Sequence, residues 1–293
     1  MSGVSRVRFR FLGTGTSAGI PPIGGAGGVT ESSPLGGADP RDRRTRTSAA
    51  LEFVDDDGQE RVILIDAGPD LREQALAAGL RRCDAILLTH GHVDHTFGLD
   101  EVRRFNVLMD SSIDVLADDR TMGFIQRVYK HVFEAHKNVQ KSFVATLVPR
   151  LIVPGAAVDL FGVRVTPVAL LHGRLPILGF RFDVPGFDVS GSGGADEAGP
   201  LPLLYATDTN GIPPESWSTF AGLDVLVLDG LRYRSHPTHN TIDEALGVAR
   251  RVKPGRTFLV HMSHEVVHAE ADAALMNASG GRVRLAYDGL VLG

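Results

Sequence analysis

A run of three histidines and one aspartate, with the pattern HxHxDH at positions 90–95, is the strongest chemical signal in the sequence. It follows the apolar run Ala85–Leu88, which predicts a buried strand, so these side chains leave a strand end on one loop. His90 and His92 are two residues apart and can share one metal ion, whereas Asp94 and His95 lie further round the turn and can reach a second. Imidazoles and a carboxylate suit Zn²⁺ or Mn²⁺, while calcium favours oxygen ligands throughout. A polar turn without metal is the alternative, and the clustering of three imidazoles disfavours it.

Two metal ions need more ligands than one loop supplies, and three further residues are candidates. His172, Asp208 and His261 each stand at the end of a mainly apolar run that predicts a strand. A polar side chain in that position is presented at the edge of a sheet. Any one of them alone is more often a surface residue than a ligand. Their occurrence together with the HxHxDH pattern favours the ligand interpretation.

The hydrophobic patterns predict a layered α/β protein around these residues. Strands alternate with helices in both halves of the chain, which is typical of mixed sheets covered by helices. The predicted strands are Val4–Leu12, Ser48–Val54, Val62–Asp66, Ala85–Leu88, Val158–Phe161, Val163–Ala169, Leu178–Val184, Leu201–Ala206, Val225–Leu228, Thr257–Val260 and Val283–Ala286. The predicted helices are Pro69–Ala78, Gly98–Phe105, Asp118–Lys130, Pro214–Phe220, Thr241–Val252 and Glu265–Met276.

The composition of the 293 residues is that of a soluble globular protein, with 43% hydrophobic and 22% charged residues. No linker divides the chain, so we expect one domain over residues 1–293, with a flexible loop insertion at 186–200. The single cysteine, Cys83, excludes an internal disulfide framework and is expected to be a packed core residue. No apolar run approaches about 18 residues, and the N-terminus lacks a signal-peptide pattern, so no membrane contact and a cytoplasmic location are expected.

The order of these motifs resembles the metallo-β-lactamase-fold hydrolases over nearly the full chain. The matching pieces are the segment IDAG at 65–68, the HGHVDH segment, and then His172, Asp208 and His261. The resemblance implies a four-layer αββα sandwich, with two mixed sheets, outer helices and a site for two metal ions at one edge.

The resemblance also implies a division of the ligands. His90, His92 and His172 would hold one ion, Asp94, His95 and His261 the other, and Asp208 would bridge them. Asp66 matches an acidic residue that orients the ligand loop in the family. A helix cap after Pro69 is an alternative role for Asp66, and the two roles are compatible.

Finer motifs resemble the phosphoribosyl cyclic phosphate phosphodiesterases. They are FLGTGTSAGIPPIG, DPRDRRTRTSAALEF, GHVDHTFGLDEVRRFN, RYRSHPTHNTIDEAL and LVHMSHE. In that subfamily a histidine ahead of the EAL-type helix faces the substrate phosphate, and His239 stands in that position. His236 is a weaker competitor, and a capping or surface role is the alternative for both. The subfamily's cysteine cluster is absent from the glycine-rich segment at 24–29, so its structural zinc is expected to be missing and His264 to be an ordinary polar residue.

The expected reaction is hydrolysis of a small phosphodiester, such as a phosphoribosyl cyclic phosphate. The resemblance implies attack by a hydroxide formed between two divalent ions, Zn²⁺ or Mn²⁺, with Asp94, Asp208 and His239 as catalytic residues. The net charge of −5 does not favour a long nucleic acid as partner, and a homodimer is expected from the relatives.

Other functions of the same fold stay open. A tRNA 3′-end processing endonuclease would need a basic arm, for which Arg127, Lys130, Lys137 and Lys141 are weak candidates. A metal-binding accessory protein without turnover is another alternative. A thioester or lactam hydrolase is a third, and His239 counts against it.

A second cluster of charged residues has two interpretations. Arg41, Arg43, Arg44 and Arg46 form the densest basic segment of the chain. Arginine side chains match phosphate oxygens and could bind substrate. The interleaved acidic residues at 39 and 42 favour local ion pairs instead.

Overall fold

The computed structural model describes residues 3–25, 39–139, 143–185 and 199–293. The predicted loop insertion at 186–200 and the glycine-rich segment at 24–29 therefore lie mostly outside the described residues. Within them, no helix has both the length and the apolar character needed to cross a membrane.

The first sheet contains seven strands in the order β14-β1-β2-β3-β4-β5-β6. Strands β14, β1, β2 and β3 are antiparallel neighbours, and β3 to β6 run parallel. The strands are β1 (Ser5–Gly13), β2 (Ser48–Val54), β3 (Glu60–Ile65), β4 (Ala85–Leu87), β5 (Ile113–Ala117), β6 (Leu147–Leu151) and β14 (Val291–Leu292).

The second sheet also contains seven strands, in the order β13-β12-β11-β10-β9-β8-β7. Here β7 to β10 are antiparallel neighbours, and β10 to β13 run parallel. The strands are β7 (Val158–Leu160), β8 (Val163–His172), β9 (Leu175–Asp183), β10 (Leu203–Ala206), β11 (Val225–Asp229), β12 (Arg256–Val260) and β13 (Val283–Leu285).

Seven α-helices and several short 3₁₀ segments occupy the described connections. The helices are α1 (Leu71–Ala78), α2 (Val93–Thr96), α3 (Arg103–Met109), α4 (Asp119–Val128), α5 (Lys130–Phe133), α6 (Ile242–Val252) and α7 (His268–Ser279). Helices α1, α3 and α4 contribute to an apolar cluster on the outer face of the first sheet, and α6 and α7 to one on the second.

The largest apolar cluster lies between the two sheets. Strand β1 shows how the sequence creates it, because Phe9 and Phe11 are buried while Arg8 is exposed. This alternation has the period of two that a strand requires to bury one face. The predicted four-layer sandwich of helix, sheet, sheet and helix is confirmed.

Several predicted elements differ from the observed ones. Strands β5, β6 and β14 were not predicted. Pro214–Phe220 is a 3₁₀ helix, and α7 begins three residues after the predicted start. Strand β8 continues to His172, three residues beyond the predicted end, so that this residue lies on the sheet itself.

The parallel strands determine where the polar residues meet. Strand β3 pairs in parallel with β4, and β10, β11 and β12 pair in parallel with one another. The carboxyl ends of parallel neighbours meet at the same sheet edge. The residues that follow these strands therefore gather at one edge of the sandwich.

The N-terminus of α6 offers a test of local stability. Thr241 and Glu244 form a reciprocal capping box, in which the Thr241 hydroxyl accepts from the Glu244 amide at 3.1 Å. We predict that Thr241→Ala lowers the free energy of unfolding by about 1 kcal/mol, because an amide loses its acceptor. Urea unfolding measures this. Thr241→Ser retains the hydroxyl and is the control, and equal stability of the Ala and Ser variants would contradict the prediction.

Candidate metal centre

The HxHxDH segment forms a loop and the short helix α2. His92 occupies the N-cap position, and the side chains of Asp94 and His95 in this short helix are buried. The segment packs tightly on a neighbouring loop, since a Cβ on Gly68 would lie 2.0 Å from the carbonyl oxygen of Asp94. Glycine at this position thus permits the close backbone approach that holds the histidine loop in place.

The structure brings all seven sequence-predicted ligands together in two groups. Within each group, the possible ligand atoms lie within 4.8 Å of one another. The three-histidine group consists of His90, His92 and His172, and the mixed group consists of Asp94, His95, Asp208 and His261. His95 Nε2 lies 3.1 Å from one carboxylate oxygen of Asp208, and His261 Nδ1 lies 2.9 Å from the other.

Three of the residues at this edge adopt a strained backbone conformation. Asp66, Asp208 and His261 have φ values of 63°, 59° and 58°, in the left-handed region that favours glycine. Each follows the end of a strand. Such conformations cost energy and occur mainly where the surrounding structure holds a functional side chain in place.

The histidine rings are oriented by hydrogen bonds on their second nitrogen. His95 Nδ1 lies 2.7 Å from the carboxylate of Asp66, which also accepts from the Thr89 amide at 2.8 Å. His172 Nδ1 lies 3.0 Å from the carbonyl of Thr238. These contacts leave the opposite nitrogens, on the two rings, available to the centre. Asp66 thus contacts both His95 and the backbone of Thr89, as expected of a residue that orients this loop. Its alternative role as a helix cap is wrong, because Asp70 is the N-cap residue of α1.

Burial and mutual charge set the protonation of the group. Burial lowers the pKa of His90 well below its usual range, and the nearby His95 lowers it further, so His90 is neutral. Burial raises the pKa of Asp208, but the charges of His261 and His95 outweigh it and hold that pKa well below normal. Burial opposes protonation of His95, yet Asp208 and Asp66 raise its pKa well above normal.

These residues fit divalent cations. His90 Nε2 is buried, and among the described residues it has no hydrogen-bond partner. A neutral imidazole with an unpaired buried nitrogen is costly unless a ligand accepts its lone pair. Three imidazoles in one group, and two imidazoles with two carboxylates in the other, form a donor set that Zn²⁺ and Mn²⁺ both accept.

His239 lies beside both groups. Its ring stacks on His261 at a centroid distance of 4.7 Å and lies 4.6 Å from the ring of His172. Its Nδ1 lies 3.1 Å from the carboxylate of Asp229. Burial, and then the charge of His261, lower the pKa of His239 to about 4. The imidazole is therefore neutral near pH 7.

Asp229 is a residue that the sequence interpretation missed. It is fully buried, and besides His239 its carboxylate accepts hydrogen bonds from the Thr209 amide and from the amide and side chain of Asn240. The signal was present, because Asp229 follows the apolar run Val225–Leu228 just as Asp208 follows its own strand.

The basic segment forms ion pairs with neighbouring acids. Arg41 pairs with Asp39 at 2.7 Å, Arg44 with Asp42 at 3.0 Å and Arg46 with Asp70 at 2.8 Å. The first two pairs agree with the local ion-pair interpretation, whereas Arg46 pairs with an acid 24 positions away in the sequence. Cys83 is buried in the apolar layer beneath α1 and α3, and burial raises the pKa of its thiol well above normal, as expected for a packed residue.

Comparison with known proteins assigns the family. The family model of the beta-lactamase superfamily domain matches residues 61–262. The chain belongs to the beta-lactamase superfamily. Within this superfamily it has the metallo-β-lactamase fold. A crystal structure of a diphosphatase from the PhnP family is 34% identical, with a TM-score of 0.80, and the match covers 98% of each chain. This similarity agrees with the subfamily resemblance that the sequence motifs indicated.

Two further relatives match in sequence. An octanoyltransferase from Porphyromonas gingivalis is 32% identical over 285 residues, which are 97% of this chain and 51% of that protein. A ribonuclease Z from a Bradyrhizobium species is 33% identical over 126 residues, which are 42% of this chain and 40% of that enzyme. This chain thus spans about half of the length of the octanoyltransferase, and its match covers less than half of the ribonuclease Z.

The contact between Asp66 and His95 offers a test of the centre. We predict that Asp66→Asn weakens binding of Zn²⁺ by roughly ten- to a hundredfold, because His95 loses the charge that orients it. Competition with a chromophoric chelator measures the affinity. Asp100→Asn is the control, since Asp100 pairs with Arg103 and His131 away from the ligands. Equal Zn²⁺ affinity in both variants would rule out this role for Asp66.

Proposed function

We propose that the protein is a metal-dependent hydrolase of a small phosphodiester, such as a phosphoribosyl cyclic phosphate. The observation that carries the proposal is the position of His239, buried against His172 and His261 and fixed by Asp229. Hydrolysis of a phosphodiester needs a group that contacts the phosphate or protonates the leaving oxygen, and an oriented imidazole beside both groups suits that role.

The seven predicted ligands would hold two divalent cations, one in each group. When bound, such ions supply positive charge to the phosphate oxygens and acidify the attacking water. Asp94 and Asp208 provide the negative charge of the mixed group. Asp66 fixes the ring of His95, and the carbonyl of Thr238 fixes that of His172.

His239 has the features of a proton donor that becomes charged when the substrate binds. In the free protein its pKa of about 4 keeps the ring neutral at pH 7. A phosphate anion beside the ring favours the charged imidazolium and raises that pKa. In the imidazolium both nitrogens carry a proton, so Nδ1 can donate to Asp229, 3.1 Å away, while the proton on Nε2 is left for the leaving oxygen. The ring-opened product of a cyclic diester would thus leave as a monoester with a neutral hydroxyl.

The surface charges support a small substrate over a tRNA. A tRNA 3′-end endonuclease needs a basic arm, but Lys130 and Lys137 both approach Glu134, at 3.9 and 3.0 Å. Lys141 lies outside the described residues. The net charge of −5 adds long-range repulsion of a polyanion. The two sequence relatives match over only part of their own lengths, so their activities are not carried over.

The proposal predicts separate effects of two histidine variants. His92→Ala removes one member of the three-histidine group and should reduce both metal content and turnover of bis(p-nitrophenyl) phosphate. His239→Ala should retain the metal but lose roughly a hundred- to ten-thousandfold in turnover, because proton transfer is lost. Metal analysis and initial rates, repeated with a ribose cyclic phosphate, measure this.

The exposed His136 provides the control, and its replacement by alanine should change neither quantity. Full activity of both the His92 and the His239 variants would exclude the proposed reaction. Metal binding without any turnover in the unmodified protein would instead identify a non-catalytic accessory protein.

A further inference from the structure

Arg44 is a buried arginine in the loop ahead of β2. Its side chain is fully inaccessible, and the side chain of its partner Asp42 is only 4% exposed. One terminal nitrogen of Arg44 donates to Asp42 at 3.0 Å and to the carbonyl of Val266 at 2.9 Å, and the other donates to the carbonyl of Ser263 at 3.4 Å. The guanidinium thus joins two segments that are more than 200 residues apart in sequence.

Asp42 also connects its own loop to the distant segment that Arg44 contacts. Its carboxylate accepts a hydrogen bond from the backbone amide of His268 at 2.7 Å, at the start of α7. The pair therefore contacts the 263–268 segment at three backbone positions, Ser263, Val266 and His268. We call this set of contacts the Asp42–Arg44 clamp.

The clamped segment begins two residues after His261, a predicted ligand. His261 is followed by Met262, whose amide donates to Thr14 at 3.0 Å and whose carbonyl accepts from Thr16 at 3.1 Å. The Thr47 hydroxyl lies 3.1 Å from His261 Nδ1. His261 is thus held between loops that the clamp connects, in a backbone conformation with a φ of 58° that its own preferences oppose.

Stability alone is a weak reason for such a pair. Two charges lose their hydration on burial, and replacing a buried ion pair by apolar side chains is often neutral or stabilising. A buried, hydrogen-bonded pair does define a unique arrangement of the segments it joins. The segment joined here lies two residues after His261, a member of the mixed group, and is adjacent in sequence to no member of the three-histidine group.

We infer that the Asp42–Arg44 clamp positions His261 and thereby sets the cation affinity of the mixed group selectively. Asp42 and Arg44 are positioning residues, because they act through the backbone that follows His261 and touch neither the ligand atoms nor the substrate. The inference rests on the metal centre of the proposed function but not on the identity of the substrate.

The test uses a double variant that removes the charges and keeps the fold. Asp42→Asn retains an oxygen for the His268 amide, and Arg44→Met retains much of the apolar stem while removing every donor. The matched control is Asp272→Asn with Arg284→Met. That pair also joins an Arg, an Asp and a backbone amide, that of Leu285, but it lies between α7 and β13 away from the ligands.

The readout is the binding of Zn²⁺ to the metal-free protein, by calorimetry or by metal analysis at buffered free Zn²⁺. The unmodified protein and the control should bind two ions. The clamp variant should bind one ion with unchanged affinity and the second roughly ten- to a hundredfold more weakly, as expected when support for a ligand is lost. Circular dichroism and thermal unfolding show that the fold is retained.

Two results would overturn the inference. Equal loading of both ions in the folded clamp variant would show that the pair leaves His261 unaffected. Parallel loss of both ions with the folded fraction would show a purely structural role. Neither result depends on hydrolysis. Failure of the proposed function would instead be seen as two bound ions without turnover, so the two failures can be told apart. Single Arg44→Lys protein provides a second, milder variant with the same expected selectivity.

Discussion

The site depends on the buried negative charge of the Asp208 carboxylate, which needs positive charge or hydrogen-bond donors beside it. Asp208 lies at the edge between the two sheets, with His95 on one of its oxygens and His261 on the other. Burying a carboxylate is costly unless cations or hydrogen bonds compensate it. Although burial opposes it, the Asp208 carboxylate raises the pKa values of His95 and His261 above their ordinary range. Divalent cations held by these residues would compensate the carboxylate charge directly.

Strained backbone conformations and buried polar residues gather at one edge of the fold, whereas the clusters between and outside the sheets are apolar. Parallel strands from both sheets end there, and the residues that follow them, among them Asp66, Asp208 and His261, adopt left-handed backbone conformations. Burial of apolar side chains in the three clusters offsets the cost of these backbone conformations. Several of the predicted ligands follow strand ends directly, while the connecting loops are free to define which substrate reaches them.

Features that depend on neighbouring residues could be predicted from the sequence, whereas features that depend on contacts between distant segments could not. Local periodicity predicted strand β2 with its observed bounds, and the HxHxDH pattern together with three polar strand ends predicted all seven residues of the two groups. Strand β6 was missed because it is an exposed edge strand with a proline, so it lacks a strand-like pattern. The Asp42–Arg44 clamp was also out of reach, since its partners lie more than 200 residues away and neighbouring acids indicated only local pairing. Asp229 could have been found by asking which polar residue ends each apolar strand.

The most direct test of the central claim is anomalous diffraction at the zinc edge from a crystal of the full chain grown with Zn²⁺. The account predicts two peaks. One would lie about 2.0–2.1 Å from nitrogens of His90, His92 and His172, and the other at similar distances from Asp94, His95 and His261, with Asp208 between them. An absence of density at this edge, or ions bound only elsewhere on the surface, would contradict it.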